Sequence, residues 1–194
     1  MCGISAILYN ISTEFSTSNE IIKLGVSIPH RGPDNSSYLK KDFAHFGHQR
    51  LSIIDLEENS NQPFEDDKFL ITYNGEIFNY LELKKDLIKK GYLFKTKSDT
   101  EVLLKMYHEY GDKMLSLLNG MWAFCIYNKL NGETFVARDR FGIKPLYYSI
   151  IKGNIYVYSE IKQIKRIINL SYDKENSLDY LFFGRLLHNE QTVF

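Results

Sequence analysis

Cysteine is scarce in this chain: Cys2 and Cys125 are the two among 194 residues. Two thiols so far apart build no disulfide framework, and neither belongs to a C-x-x-C pair. An excess of either charge is also missing. Twenty-four Lys and Arg balance 24 Asp and Glu, so no basic field exists to gather nucleic acid. No apolar run reaches the length of a membrane span. No cationic stretch followed by an apolar one opens the chain, so no signal peptide is expected and a cytoplasmic location is. The five histidines (His30, His45, His48, His108 and His188) lack H-x-x-x-H and H-E-x-x-H spacing. His45 and His48 fall in a strand-like stretch, where residues three apart face opposite sides, so no metal site is expected. Neither G-x-x-x-x-G-K-[ST] nor G-x-G-x-x-G occurs, and no nucleotide cofactor is expected. Repeats, low-complexity segments and Pro/Gly/Ser-rich linkers are missing too.

What is present is a dense alternation of aromatic and β-branched runs with turn residues. Residues 2–9 read as a strand. Thr17 and Glu20 form a capping box for a helix through EIIKLGVSI, and HRGPD (30–34) reads as a loop. SSYLKKDFAHFGHQRLSII reads as a hairpin turning near Lys41–Asp42. FLITYNGEIFN contains a strand interrupted at Asn74-Gly75. Asn79 caps a helix that buries Tyr80, Leu83, Leu87 and Ile88, and Gly91 ends it. YLFKT (92–96) reads as a short strand. Ser98 and Glu101 make a second capping box, ahead of a helix carrying Val102, Leu103, Met106, Tyr107 and Tyr110 and stopped by Gly111. Two further hairpins turn at Asn131-Gly132 and at Lys152-Gly153-Asn154. From about Glu160 the chain reads as helical. With no βαβ rhythm, the pattern predicts an α+β fold with mainly antiparallel sheets.

The chemistry-bearing residues start at Cys2. A cysteine nucleophile needs a base, an oxyanion hole and a hold on its substrate. Removal of Met1 would give Cys2 its own base, because an α-amine titrates near 7.7–8.0. Without that step Cys2 is an ordinary small apolar residue. Gly75 permits close backbone approach, and its N–H together with the Asn74 amide can face one developing oxyanion. Alternatively, Asn-Gly is only a turn. Arg50 can hold a carboxylate bidentately, and Glu76 and Asp99 can hold an ammonium. Taken singly, each also reads as structural, Asp99 through the dipole of its helix.

MCGI, HRGPD, RLSIIDL, NGEIFN, SDTE, NGMWAF and RDRFGIKPLYY occur in this order over residues 1–165. Together they resemble the N-terminal glutaminase domain of glutamine-hydrolysing asparagine synthetases, class II glutamine amidotransferases among the N-terminal-nucleophile hydrolases. The resemblance implies a four-layer αββα sandwich of two mainly antiparallel sheets. It implies Cys2 as nucleophile toward the side-chain amide of L-glutamine, and Asn74 and Gly75 as oxyanion hole. It gives the glutamine α-carboxylate to Arg50, with Leu51, Ser52, Ile53 and Ile54 lining the pocket, and the α-ammonium to Glu76 and Asp99. Arg31 is carried as a structural contributor and Cys125 as core. Pro145 is a turn and packing residue, with the isomer of its peptide bond open. The implied products are ammonia and a γ-glutamyl thioester that water hydrolyses. Residues 1–165 are then the glutaminase domain, and 166–194 a helical extension leading toward a synthetase domain, in cis or trans. ATP and magnesium are expected only for that other domain, and no cofactor for this chain. No nucleic-acid or membrane partner is expected, and the resemblance leaves open a homodimer of the longer protein. The alternatives are a non-catalytic glutamine-binding or regulatory module, a truncated remnant, and a plain interaction protein.

Overall fold

A computed structural model describes residues 1–10 and 19–186. Two antiparallel sheets stack face to face. The first holds β1 (Gly3–Leu8), β2 (Asn35–Lys41), β3 (Ala44–Arg50), β8 (Tyr147–Ile151) and β9 (Asn154–Tyr158), in the order β2-β3-β1-β9-β8. The second holds β4 (Phe64–Glu65), β5 (Phe69–Ile77), β6 (Gly120–Asn128) and β7 (Thr134–Arg138), in that order. Helix α1 (Glu20–Val26) covers the outer face of the first sheet. Helices α2 (Tyr80–Lys89) and α3 (Asp99–Tyr110) cover the outer face of the second. The result is the expected four-layer αββα sandwich. A further helix, α4 (Lys174–Phe183), follows β9 of the first sheet in the chain. No helix among the described residues is long and apolar enough to cross a membrane.

Strand alternation sorts the residues into layers. Ala6, Ala44, Phe46, Leu70, Cys125 and Val157 meet between the sheets, so Cys125 is core. Ile7, Ile21, Leu24, Tyr156 and Tyr158 pack under α1. Ile71, Tyr73, Val102, Leu103, Met106, Trp122 and Phe124 pack under α2 and α3. Each fully buried Ile, Leu or Phe contributes roughly 1.5–3 kcal/mol, which secures both sheets and leaves the loops at their ends free to carry a site. The hairpins turn where expected. Lys152 (φ 51°) and Gly153 (φ 81°) close a two-residue turn between β8 and β9, the left-handed pair that suits the strands' twist.

Local readings fail in five places. Strand β5 runs unbroken through Asn74-Gly75, because β6 pairs with it all the way from Phe69↔Asn128 to Ile77↔Gly120. YLFKT is not a strand: the Lys95 and Thr96 N–H groups donate to the Glu101 carboxylate at 3.0 and 2.7 Å instead of to a neighbouring strand. For the same reason Glu101 completes no capping box, although Ser98 Oγ accepts from Thr100 N–H at 3.1 Å. Asn79 precedes α2 without capping it through its side chain. Its amide bridges Leu117 O and Asn119 N–H, tying the helix start to the loop before β6. Ile88 is exposed, while Leu87 is buried. Thr17 of the first capping box lies outside the described residues, and Asn19 stands at the start of α1 without a side-chain cap bond. Among the described residues the cis peptide bond is Gln62–Pro63, and the bond before Pro145, left open by the sequence, is trans.

Candidate active site

One feature of the second sheet creates the site. Strand β4 pairs only with Leu70 and Ile71 of β5. Beyond them, the edge of β5 facing away from β6 has no strand neighbour among the described residues. Backbone groups alternate along an antiparallel strand, so Tyr73, Gly75 and Ile77 present theirs to this open edge. Side chains fill most of it. The Tyr73 N–H donates to Gln62 Oε1 at 2.6 Å, and Tyr73 O accepts from His48 Nε2 at 3.1 Å. The Ile77 N–H donates to Asp99 Oδ2 at 3.1 Å. Between them lies Gly75, which pairs with Trp122 of β6. Trp122 turns its own N–H and C=O toward Asp139, away from β5, so the alternation directs the Gly75 N–H to the open edge. A side chain at Gly75 has no room: a Cβ there would lie 2.3 Å from Met121 O and 2.8 Å from Trp122 Cα.

A cavity lies against this edge. Of the residues singled out in the sequence, Cys2, Arg50, Leu51, Ile53, Ile54, Gly75, Glu76 and Asp99 line it. Ser52 and Asn74 are not among the lining residues. The Ser52 N–H donates to Asp34 of HRGPD at 2.7 Å, and Asn74 is buried with its amide nitrogen unpartnered. His48, Ser60, Gln62, Tyr73, Ser98 and Thr100 also line the cavity and were missed. His48 had a signal: it is two residues from Arg50 on β3, hence on the same face. Gln62 had none, since its loop reaches the site only through tertiary contacts to Tyr73 and Thr100.

Cys2 sits just before β1, in phase with Ala6 on the face toward the second sheet. Its Sγ lies 3.4 Å from the Leu51 N–H and 3.5 Å from Leu51 O. Burial pushes the thiol pKa up. The Leu51 N–H, the α-amine of Met1, Arg50 and Lys144 each work against that rise. Lys144 is buried, and its backbone is held by Arg138 and by the Asp139 carboxylate. The Cys2 carbonyl accepts from Arg31 at 3.3 Å. Arg31 in turn pairs with Glu160, which also receives His30 and Lys162.

The charged lining is fixed before any ligand arrives. Arg50 donates to Asn61 Oδ1 at 2.6 Å, to Glu57 O at 3.2 Å and to Asp55 O, so the loop 55–61 sets its orientation. Asp99 begins α3, and its Oδ2 accepts from Tyr73 Oη at 2.9 Å as well as from Ile77. Burial raises the Asp99 pKa, and those two hydrogen bonds oppose the rise. A thiol, a guanidinium and two carboxylates therefore converge on one small cavity with a backbone N–H in its wall.

Comparison with known proteins agrees with this geometry. A family model described as a glutamine amidotransferase domain matches residues 1–194. Asparagine synthetase [glutamine-hydrolyzing] 1 of Bacillus subtilis is 44% identical over 188 residues, covering 94% of this chain and 30% of that protein. Asparagine synthetase [glutamine-hydrolyzing] 2 of Oryza sativa is 38% identical over 166 residues, covering 84% of this chain and 28% of that protein. The chain thus spans about a third of the length of these curated relatives. Among solved structures, glutamine phosphoribosylpyrophosphate amidotransferase from B. subtilis aligns with a TM-score of 0.71 at 23% identity, over 86% of this chain and 43% of that one. At that identity the likeness speaks for the fold. The four-layer sandwich, the cavity at the mouth of β1 and the match along its whole length together make this chain a member of the glutamine amidotransferase domain family.

Proposed function

We propose that the chain hydrolyses the side-chain amide of L-glutamine to glutamate and ammonia through a γ-glutamyl thioester on Cys2. The observation that carries this reading is the convergence of Cys2 with Arg50, Glu76, Asp99 and the Gly75 N–H on one cavity. An amino-acid head group needs a cation for its carboxylate and anions for its ammonium. Arg50 serves the first, and Asp99 with Glu76 the second. Once Met1 is removed, the Cys2 α-amine takes the thiol proton and later returns one to the leaving nitrogen. The sulfur attacks the amide carbon, and the oxyanion receives the Gly75 N–H and the Asn74 amide. Ammonia leaves, and water then opens the thioester. Arg50 and Lys144 favour the thiolate that burial disfavours.

The ammonia serves an ATP-dependent amidation, asparagine synthesis or a related reaction, on a synthetase domain supplied in cis or trans. The identity with asparagine synthetases supports this assignment. Intact mass and glutamate release from glutamine, with Cys2→Ala alongside, test the hydrolytic reading. A mass lacking Met1 and release abolished in the variant are expected. Release that survives Cys2→Ala refutes the thioester route.

A further inference from the structure

Three buried side-chain polar atoms among the described residues have no partner: His48 Nδ1, Asn74 Nδ2 and Trp122 Nε1. Trp122 lies in the core beneath the helices. Of the other two, His48 is tied to Tyr73 O and Asn74 is the next residue along β5. His48 is 1% exposed and lines the cavity with Cys2, on a β3 position paired with Ile4 of β1. Its tautomer follows from its one hydrogen bond. Nε2 lies 3.1 Å from Tyr73 O, and a carbonyl only accepts, so Nε2 carries the hydrogen. Burial, with Arg50 nearby, lowers the imidazole pKa to about 3. The ring is neutral at physiological pH, and Nδ1 is a fixed lone pair. A buried acceptor left empty is costly, and the residue that carries it lines the cavity.

We infer that His48 Nδ1 accepts an N–H of the glutamine side-chain amide and thereby sets glutamine apart from glutamate. This rests on the glutaminase reading of the cavity. A carboxamide is an acceptor oxygen beside a donor nitrogen. His48 leaves an acceptor, Nδ1, without a partner, and Asn74, beside Tyr73 on β5, leaves a donor, Nδ2. Glutamate offers only acceptors on its ionised side chain, so its carboxylate meets the His48 lone pair unfavourably. The same atom that holds the substrate's nitrogen helps to expel the acid product. Sites that match a donor in this way discriminate steeply against ligands lacking it.

Two variants separate this role from a structural one. His48→Gln places a donor where Nε2 was, keeping the tie to Tyr73 O while removing the Nδ1 acceptor. His48→Asn places its amide at the Nδ1 position and gives up the tie. The readout is kcat/KM for glutamine divided by kcat/KM for glutamate γ-methyl ester, which has no side-chain N–H, together with inhibition by glutamate. His48→Gln is expected to lower that ratio roughly ten- to a hundredfold and to tighten glutamate inhibition. His48→Asn is expected to keep the ratio within about threefold of the parent chain. A parallel fall for both substrates, an unchanged ratio in His48→Gln, or an equal loss of ratio in His48→Asn overturns the inference. An unchanged ratio would mean that water satisfies Nδ1. A parent chain that hydrolyses neither substrate overturns the glutaminase reading, and this inference with it.

Discussion

Glu160 is far from the nucleophile in sequence, yet replacing it should be felt there. Its carboxylate gathers His30, Arg31 and Lys162 at 2.7, 2.5 and 2.9 Å. Partial burial alone would raise its pKa. The hydrogen bonds from Lys162, His30 and Arg31 outweigh that and hold it at about 2, against an ordinary 4.5. At about 1.4 kcal/mol per pKa unit, that gap caps the contribution near ~3 kcal/mol. The side chain is 23% exposed, and screening by solvent reduces the expectation to about 1–2 kcal/mol. The sign follows from the depressed pKa: stability is fully present above pH 4.5 and is lost as pH falls toward 2. Glu160→Gln should therefore be less stable than the parent by about 1–2 kcal/mol at pH 7, and the gap should narrow below pH 4.5 and close as pH nears the folded value of about 2. Urea unfolding at pH 7, 5, 4 and 3 measures both curves. A second effect is predicted on the site, since Arg31 also holds the Cys2 carbonyl. Freed of its carboxylate, Arg31 loses its aim, and small misplacements of a nucleophile can cost about a hundredfold in rate. A stability gap that is constant from pH 7 to 3 would refute the reasoning.

Other outcomes follow from the same geometry. Asp99→Asn keeps an acceptor for the Tyr73 hydroxyl and the Ile77 N–H but removes the charge offered to the substrate's ammonium, so KM for glutamine should rise about tenfold or more with near-native melting. In the parent chain the raised Asp99 pKa means that the carboxylate is lost at a higher pH than an exposed one. KM should climb on the acid side, and a KM flat down to pH 4 would contradict the role. Lys144→Met removes a cation that acts on Cys2, so the midpoint of Cys2 alkylation by iodoacetamide should move to higher pH. An unmoved midpoint would show that Lys144 does not help to set the thiol.

How much of this was readable from residues alone varies with the range of the forces involved. The turn at Lys152-Gly153 and the Ser98 cap are decided within a few residues, and both stand where the sequence put them. The strand assigned to YLFKT failed because its donors found the Glu101 carboxylate one turn into the next helix. Asn79 looked like a cap and serves instead as a clasp to Leu117 and Asn119, some 40 positions away. In the site, charge and motif pointed to Arg50 and Asp99. Gln62 and Ser60 arrive on a loop whose path no local pattern announces. His48 was legible only by counting two residues back from Arg50 along one face of β3.

The bare margin of β5 carries one more consequence. An unpaired strand edge invites another chain to add itself as a further strand. Here Gln62, His48 and Asp99 have taken the neighbouring positions along that margin. The Gly75 N–H stands between them, walled in by side chains too irregular for an extended peptide to dock. Protection from sticky self-association and selectivity for a small polar guest are thus one and the same arrangement. Shaving those side chains away should do more than weaken a catalyst: it should uncover a template for aggregation.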